Sequence, residues 1–154
     1  MGLDVTFFVE GLPRAKGNHR PCPLGKAVPV VRGTRKYYAL NDLGVRETTK
    51  GLGPWTRAVE AAAIMVRPKH PIPDCPFEVE VIFYFPSPKK PKHPTHHIVK
   101  PDPDKVARAM LDPLTGIIWK DDCQVADLIV RKRYGDTPGA RVRVVQVTDQ
   151  QELF

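Results

Sequence analysis

Six of the eleven aspartates in this 154-residue chain lie between Asp102 and Asp127. Asp102 and Asp104 form a D-x-D pair, and Asp121 and Asp122 form a second acidic pair after an intervening segment. Carboxylates gathered in one part of a fold repel each other unless a cation lies between them. Mg²⁺ and Mn²⁺ prefer hard oxygen ligands of this kind, which nuclease and phosphatase centres draw from two or more segments. The spacing therefore favours a divalent-metal site.

The same aspartates also admit a second interpretation, a solvated surface. Asp102 and Asp104 precede a predicted helix, whose dipole favours acidic groups at its N-terminus. Asp121 and Asp122 would fit an ordinary turn. Spacing alone leaves both interpretations open.

The positive charge lies in a different part of the chain. The net charge is +7 and the sequence pI is about 9.5. Residues 1–100 hold 16 Lys and Arg against 8 Asp and Glu, whereas residues 101–154 hold 8 against 9. A basic balance favours nucleic acid or another anionic partner. We expect DNA phosphates to contact basic residues of the first loop and of the Pro-rich segment before Asp102, the alternative being solvated loops. These residues are Arg14, Lys16, Arg20, Lys89, Lys90, Lys92 and Lys100.

Composition argues against several other classes of protein. No stretch approaches the ~18 apolar residues of a transmembrane helix, and the first residues lack the basic region of a secretory signal. Three widely spaced cysteines, Cys22, Cys75 and Cys123, predict reduced thiols in a cytosolic protein. His93, His96 and His97 have the density of zinc ligands, but no fourth ligand is nearby, so we interpret them as loop histidines near DNA.

Hydrophobic periodicity predicts the elements that must position these residues. The predicted strands are Val5–Val9, Phe77–Phe85, Gln124–Tyr134 and Ala140–Val147, and the predicted helices are Pro54–Val66 and Asp104–Leu114. Asp102 is placed to cap the second helix. The turn-rich residues 135–139 predict a hairpin between the last two strands, the second of which has an irregularity after Val144.

The order of elements predicts a single α+β domain over residues 1–154, with helices packed on one face of a mixed sheet. Residues 11–50 and 86–101 form its basic loops, with short strands in the first near Val28–Val31 and Arg35–Leu40. Residues 102–134 form the acidic metal-site core. Trp55 and Trp119 are predicted to lie in the hydrophobic core, although Trp119 could instead stack on a base.

Two runs, Pro101–Leu114 and Gly116–Val125, together resemble the RusA family of Holliday-junction resolvases, which are common in phages and prophages. The shared pattern is a D-x-D start, a basic residue four positions on, a D-x-L, an aromatic residue and a D-D-x-Q-V followed by a strand. The close match covers roughly residues 100–131. The N-terminal run Gly11–Asn18 also resembles the basic-loop start of the family.

The resemblance implies three metal-binding carboxylates, Asp102, Asp104 and Asp122, with Mg²⁺ as the ion and Mn²⁺ as a substitute. Arg108 occupies the position of a catalytic lysine, and because an arginine cannot donate its proton at neutral pH, we expect it to bind phosphate. Lys105 stands where an asparagine is usual. Asp112 and Asp127 match acidic family positions and are interpreted as structural or supporting groups. Asp121 could be a ligand, a supporting group or a turn residue.

The function implied is Mg²⁺-dependent, structure-specific DNA cleavage that resolves four-way junctions in recombination and repair. The implied partners are branched DNA and a second copy of the chain, with no membrane and no small-molecule substrate. The implied location is the cytoplasm of a bacterial host or phage-infected cell. Two alternatives stay open, a broader nuclease of forks and flaps and a non-enzymatic nucleic-acid-binding protein.

Overall fold

The computed structural model describes residues 2–17, 19–23, 28–32, 35–39, 43–47 and 49–148, with side chains described for residues 2–17 and 49–148. The elements are β1 (Asp4–Glu10), β2 (His19–Pro23), β3 (Val28–Arg32), β4 (Arg35–Ala39), β5 (Leu43–Glu47), α1 (Leu52–Val66), β6 (Phe77–Phe85), α2 (Pro103–Leu114), a 3₁₀ turn (Asp122–Gln124), β7 (Val125–Tyr134) and β8 (Gly139–Gln146). They form two compact units, Met1–Lys16 with Gly51–Phe154, and Gly17–Lys50. The prediction of one domain over residues 1–154 stays a prediction.

The first unit is built on a four-stranded mixed sheet in the order β1-β8-β6-β7. Strand β6 is antiparallel to β8 and parallel to β7, and β8 is antiparallel to β1. Alternate residues of β6 from Phe77 to Phe85 are buried, as the period-2 pattern predicts. With two helices beside a mixed sheet, this unit confirms the predicted α+β class.

The predicted hairpin between the last two strands is wrong, because β6 lies between β7 and β8. Residues 135–138 instead cross the end of β6, where the N–H of Gly135 donates to the carbonyl of Phe85 at 3.0 Å. A Cβ at position 135 would lie 3.0 Å from Cδ1 of Tyr84, so glycine allows this close crossing. Strand β6 has the most apolar pattern of the four strands. It takes the central position, where β7 and β8 cover both of its edges, and the turn residues at 135–139 give no information on this choice of position.

The predicted irregularity in the last strand is also wrong. The register of β8 is continuous from Gly139 to Val145 against β1 and to Gln146 against β6. The register shift in the sheet lies between Phe77 and Glu78, where β6 pairs with β7.

Both helices begin slightly earlier than periodicity predicts, and both present an apolar stripe to the sheet. Trp55 and Trp119 are 3% and 0% exposed, which confirms them as core residues. The buried stripe of α2 comprises Val106, Ala107, Ala109, Met110, Pro113 and Leu114. This burial holds the opposite, polar face of α2 toward solvent. Among the described residues, no helix is long and apolar enough to cross a membrane.

The second unit contains two antiparallel strand pairs, β2 with β5 and β3 with β4. Strands β3 and β4 confirm the two short strands predicted in this segment. Strands β2 and β5 were predicted as loop, which is wrong. Strand β2 contains two prolines and pairs with residues 20 to 28 positions later in the chain, so its strand signal is not local.

Candidate functional site

The start of α2 presents two of the predicted carboxylates. Asp102 is half-buried at the N-cap position, and Asp104 is exposed in the first turn. The N–H of Val106 donates to the carbonyl of Asp102 at 3.2 Å, which closes the first turn of the helix. The Asp102 carboxylate caps no backbone N–H within the described residues, but it lies 3.2 Å from Nζ of Lys105. It is therefore available for a role other than capping.

The segment before Asp102 is fastened to strand β7. Nζ of Lys132 donates to the carbonyls of Val99 at 2.7 Å and Pro101 at 2.5 Å. The N–H of His97 donates to the carbonyl of Lys132 at 3.3 Å, and the N–H of Tyr134 donates to that of Thr95 at 3.0 Å. Partial burial lowers the pKa of Lys132, against which the charge of Asp102 acts. The backbone that delivers Asp102 thus rests on the edge of the sheet.

The second acidic pair lies in a turn that Gln124 holds in place. Oε1 of Gln124 accepts from the N–H groups of Lys120 and Asp121, both at 3.0 Å. Its Nε2 donates to the carbonyls of Ile72 at 3.0 Å and Cys75 at 3.1 Å. Oδ1 of Asp121 accepts from the N–H of Cys123 at 3.0 Å, which completes a capping box. Of the three roles left open for Asp121, the geometry shows the turn role.

Asp122 lies in an electrostatically unfavourable position. Burial, a hydrogen bond to Asp121 and the charges of Asp112 and Asp121 all raise its pKa above the ordinary value. Asp121 itself has a lowered pKa, chiefly because the N–H of Cys123 donates to it. The described residues therefore place three carboxylates of α2 and the turn within electrostatic reach of one another.

Lys16 connects the first loop to α2. Its N–H donates to the carbonyl of Lys105 at 3.0 Å, and its ammonium forms an ion pair with the carboxylate of Asp112. Sequence reasoning predicts a DNA contact for Lys16, whereas the structure gives its charge to Asp112. Asp112 thus has the structural partner expected of a supporting acid. Arg108 is exposed on α2 between these two anchor points.

The predicted ligands lie at the two ends of α2. Asp102 and Asp104 stand at its start, and Asp122 follows its C-terminal end near Asp112. Within residues 2–17 and 49–148, no three His, Cys, Asp or Glu side chains are grouped so that they could hold one metal ion. The donors nevertheless fit Mg²⁺ in kind, because all are carboxylates and Mg²⁺ is usually bound by one or two of them with waters and substrate phosphates. The three-carboxylate set stays a prediction.

The predicted basic contacts differ in their exposure. Lys89, Lys90, Lys92 and Lys100 are all exposed. Arg14 is half-buried beside the left-handed Gly51, where a Cβ would lie 2.9 Å from its Nε. The side chain of Arg20 lies outside the described residues.

The three loop histidines do not form one group. His97 is only 8% exposed, stacked on Phe85 with ring centroids 4.1 Å apart and edge-on to Tyr134 at 5.2 Å. Burial and the nearby Lys132 charge lower its pKa. The interpretation of His97 as a loop histidine near DNA is wrong, because its ring packs against the sheet. His93 and His96 are exposed.

Sequence reasoning missed two residues that position this site. Gln124 could have been found, because a D-x-x-Q pattern before a strand is a capping-box signature. Lys132 gives no such signal, since it lies within the basic run Arg131–Arg133 and only the fold shows where each side chain goes.

Comparisons with known proteins agree with these observations. The family model described as Endodeoxyribonuclease RusA matches residues 27–145, which is most of the chain. The uncharacterized protein YqaN of Bacillus subtilis (strain 168) is 41% identical over 49 residues. That match covers 32% of this chain and 34% of the relative, so it spans about a third of the relative's length.

Proposed function

The chain belongs to the RusA endodeoxyribonuclease family, and from that premise we propose that it resolves Holliday junctions by Mg²⁺-dependent phosphodiester cleavage. The observation that carries the proposal is the polar face of α2. Carboxylates lie at both ends of this helix, Arg108 is exposed between them, and exposed lysines precede it in the chain.

Asp102 and Asp104 would hold an ion at the start of α2, and Asp122 would hold an ion at the other end of the helix. Bound Mg²⁺ supplies a water of lowered pKa and offsets charge on the leaving oxygen. A bound cation would stabilise the ionised form of Asp122 most, because the charges of its neighbours Asp112 and Asp121 disfavour that form. Gln124 holds the turn that presents Asp122, so its four hydrogen bonds define where that carboxylate lies.

Arg108 would bind the scissile phosphate. It is exposed one helical turn after Asp104, so both side chains project from the same part of α2. Its guanidinium stays charged at neutral pH and can donate two parallel hydrogen bonds to a phosphate, but it does not release a proton. The positive charge of Arg108 would therefore stabilise the negative charge that develops on the phosphate in the transition state.

Lys89, Lys90, Lys92 and Lys100 would contact the DNA backbone. All four are exposed and belong to the segment that leads into Asp102. The prolines of this segment reduce the conformational freedom that binding must restrict. These contacts give affinity without sequence information, which suits a nuclease that recognises DNA shape.

A second copy of the chain would make the two symmetric cuts that resolution requires. Strand β7 offers a surface for it. Leu128 and Ile129 are 43% and 37% exposed. Residues 95–97 pair with the end of β7 at Lys132 and Tyr134, but within the described residues nothing pairs with the outer edge of its first part. An exposed edge strand of this kind is a template for pairing with another chain. The proposed location of this homodimer is the cytoplasm of a bacterial host or phage-infected cell.

The decisive experiment compares cleavage of a synthetic four-way junction, a replication fork, a flap and a linear duplex with Mg²⁺, with Mn²⁺ and with EDTA. Junction resolution predicts symmetric paired nicks in the four-way junction that require the metal. Equal cleavage of forks or flaps would instead favour the broader branched-DNA nuclease. Binding without cleavage in either metal would favour a non-enzymatic DNA-binding protein.

A further inference from the structure

Lys132 of strand β7 contacts the backbone immediately before Asp102. Among the described residues no carboxylate lies within hydrogen-bond distance of its ammonium, which donates to the carbonyls of Val99 and Pro101, at 2.7 and 2.5 Å. Pro101 immediately precedes Asp102, so its carbonyl belongs to the peptide plane that joins the two residues. Fixing that carbonyl therefore fixes the position from which the Asp102 side chain starts.

Little else in the described residues restrains the Asp102 carboxylate. Its side chain caps no helix N–H, and its ion pair with Lys105 at 3.2 Å is exposed. Exposed ion pairs hold side chains weakly. The half-buried Lys132, on a strand bound to β6 along its length, is a firmer anchor.

We propose that Lys132 is the positioning residue for Asp102, holding residues 99–101 so that the carboxylate is ready for a divalent cation. The inference rests on the proposed metal-dependent function. Lys132 itself touches neither DNA nor the ion in this role. Supporting groups that orient a ligand from behind typically change metal affinity or activity by about 10- to 100-fold when removed.

The same residues explain why a lysine is needed at this position. A single ammonium has three rotatable donors, and two of them reach carbonyls that are two residues apart in the chain. A methionine would keep the length and apolar stem of the side chain but would leave both carbonyls without this donor. Asp102 would then be attached to a looser segment.

The test is a comparison of Lys132→Met with Arg131→Met. Arg131 is the preceding residue of β7 and forms a half-buried ion pair with Glu80 at 2.5 Å, so its loss also removes a charge and an ion pair from the strand. Calorimetric titration with Mg²⁺ and Mn²⁺ should show affinity reduced by about 10- to 100-fold in Lys132→Met. The same titration should show a change of about 2-fold or less in Arg131→Met.

Hydrogen exchange without metal provides a second readout. The amide of Val106, which bonds to the carbonyl of Asp102 at 3.2 Å, should exchange faster in Lys132→Met than in Arg131→Met. The amides of β6 should be protected equally in both variants. A merely structural role for Lys132 would instead loosen β6 as well.

The outcomes separate this inference from the function on which it rests. Wild-type protein that binds neither metal would overturn both. A wild-type site with unchanged affinity in Lys132→Met, or with equal losses in the two variants, would overturn the positioning role alone. If Lys132→Met does not fold, Lys132→Gln takes its place, since its shorter, uncharged side chain keeps an amide donor group, and its affinity should fall by about 10-fold. Wild-type affinity in that variant would equally reject the role.

Discussion

The two acidic regions at the ends of α2 are alike in composition and opposite in electrostatics. At the start of the helix, Asp102 has Lys105 at 3.2 Å and the charge of Lys132 nearby, and the helix dipole also favours negative charge there. At the other end, Asp122 faces Asp112 and Asp121, and its pKa is raised by its burial and by both of these neighbours. One carboxylate is stabilised by its surroundings, and the other is not.

The two regions therefore differ in what stabilises their negative charge. At the start of α2, the chain's own cations Lys105 and Lys132 lie near Asp102 and partly offset its charge. Among the described residues, the ion pair seen at the Asp122 end of α2 is that of Lys16 with Asp112, which leaves Asp121 and Asp122 without one. A region of uncompensated negative charge is stabilised by a bound cation. Metal binding should therefore relieve repulsion mainly at the second region.

The largest expected effect is the loss of cleavage when either region loses its carboxylate. Asp102→Asn and Asp122→Asn should each reduce the rate of junction cleavage by more than about 100-fold, because a direct ligand should cost at least as much as a group behind it. The measurement is a single-turnover assay with saturating Mg²⁺. Asp136→Asn, which removes an exposed carboxylate from the 135–138 link, is the control and should cleave normally.

A folded Asp122→Asn that cleaves at wild-type rate would show that the electrostatically unfavourable carboxylate of Asp122 is not needed for cleavage. Normal cleavage by Asp102→Asn would instead restrict the metal site to the C-terminal end of α2.

Arg108 tests whether the region between the two acidic ends binds phosphate. Arg108→Gln should lower the rate of the chemical step by about 100-fold, as expected when one electrostatic donor to a transition state is removed. Arg108→Lys should recover part of this loss because it restores the charge. Single-turnover kinetics measures both, and Mg²⁺ affinity by calorimetry should stay unchanged in both variants.

The matched control is Arg57→Gln, which removes an exposed arginine from α1. Equal losses in Arg57→Gln and Arg108→Gln would mean that general positive charge, and not a specific phosphate contact, explains the effect.

Elements with a strong local pattern could be predicted from the sequence. Strand β6 has the bounds Phe77–Phe85 that its alternation predicts, and α2 begins one residue before its predicted start. Pairing between elements could not be predicted in this way. The link at residues 135–138 has hairpin-like residues, yet it crosses the end of β6, because which strand becomes central depends on the whole sheet.

The same distinction between local pattern and long-range contacts applies to the candidate site. Local spacing identified the acidic pairs and placed Asp102 at the N-cap of α2. The roles of Lys16 and Lys132 depend on contacts with residues 31 or more positions away, as in the ion pair between Lys16 and Asp112, and the role of His97 depends on burial. The prediction that Lys16 contacts DNA rests on its charge alone, and only the fold shows that Lys16 forms an ion pair with Asp112.

The exposed lysines before Asp102 should affect binding more modestly than the acidic residues affect cleavage. Changing Lys89, Lys90 and Lys92 together to Gln should weaken binding of a four-way junction by about 10-fold. Each lost phosphate contact should reduce the slope of log K against log salt by about 1. Binding measured in EDTA between low and moderate salt gives both values. Lys69→Gln, at an exposed lysine outside this segment, should leave the slope unchanged.

The smallest expected effect is on the stability of the metal-free protein, and it has opposite signs in the two regions. Asp102→Asn should destabilise the fold by about 0.5–1 kcal/mol, because it removes an exposed ion pair and a charge that the helix dipole favours. Asp122→Asn should stabilise it by at most about 0.5 kcal/mol, because it removes repulsion among exposed like charges. Urea unfolding in EDTA at neutral pH measures both.

The pH dependence of unfolding provides an independent check that Asp122→Asn stabilises the metal-free protein. Because the pKa of Asp122 is raised in the fold, its protonated form contributes stability that is complete below the ordinary carboxyl pKa and is lost as the pH rises through the raised value. The stabilising effect of Asp122→Asn should therefore be greatest at neutral pH and should disappear in acid. If both substitutions destabilise the metal-free protein at neutral pH, the turn at Asp122 is not repulsive, and the electrostatic contrast between the two ends of α2 does not exist.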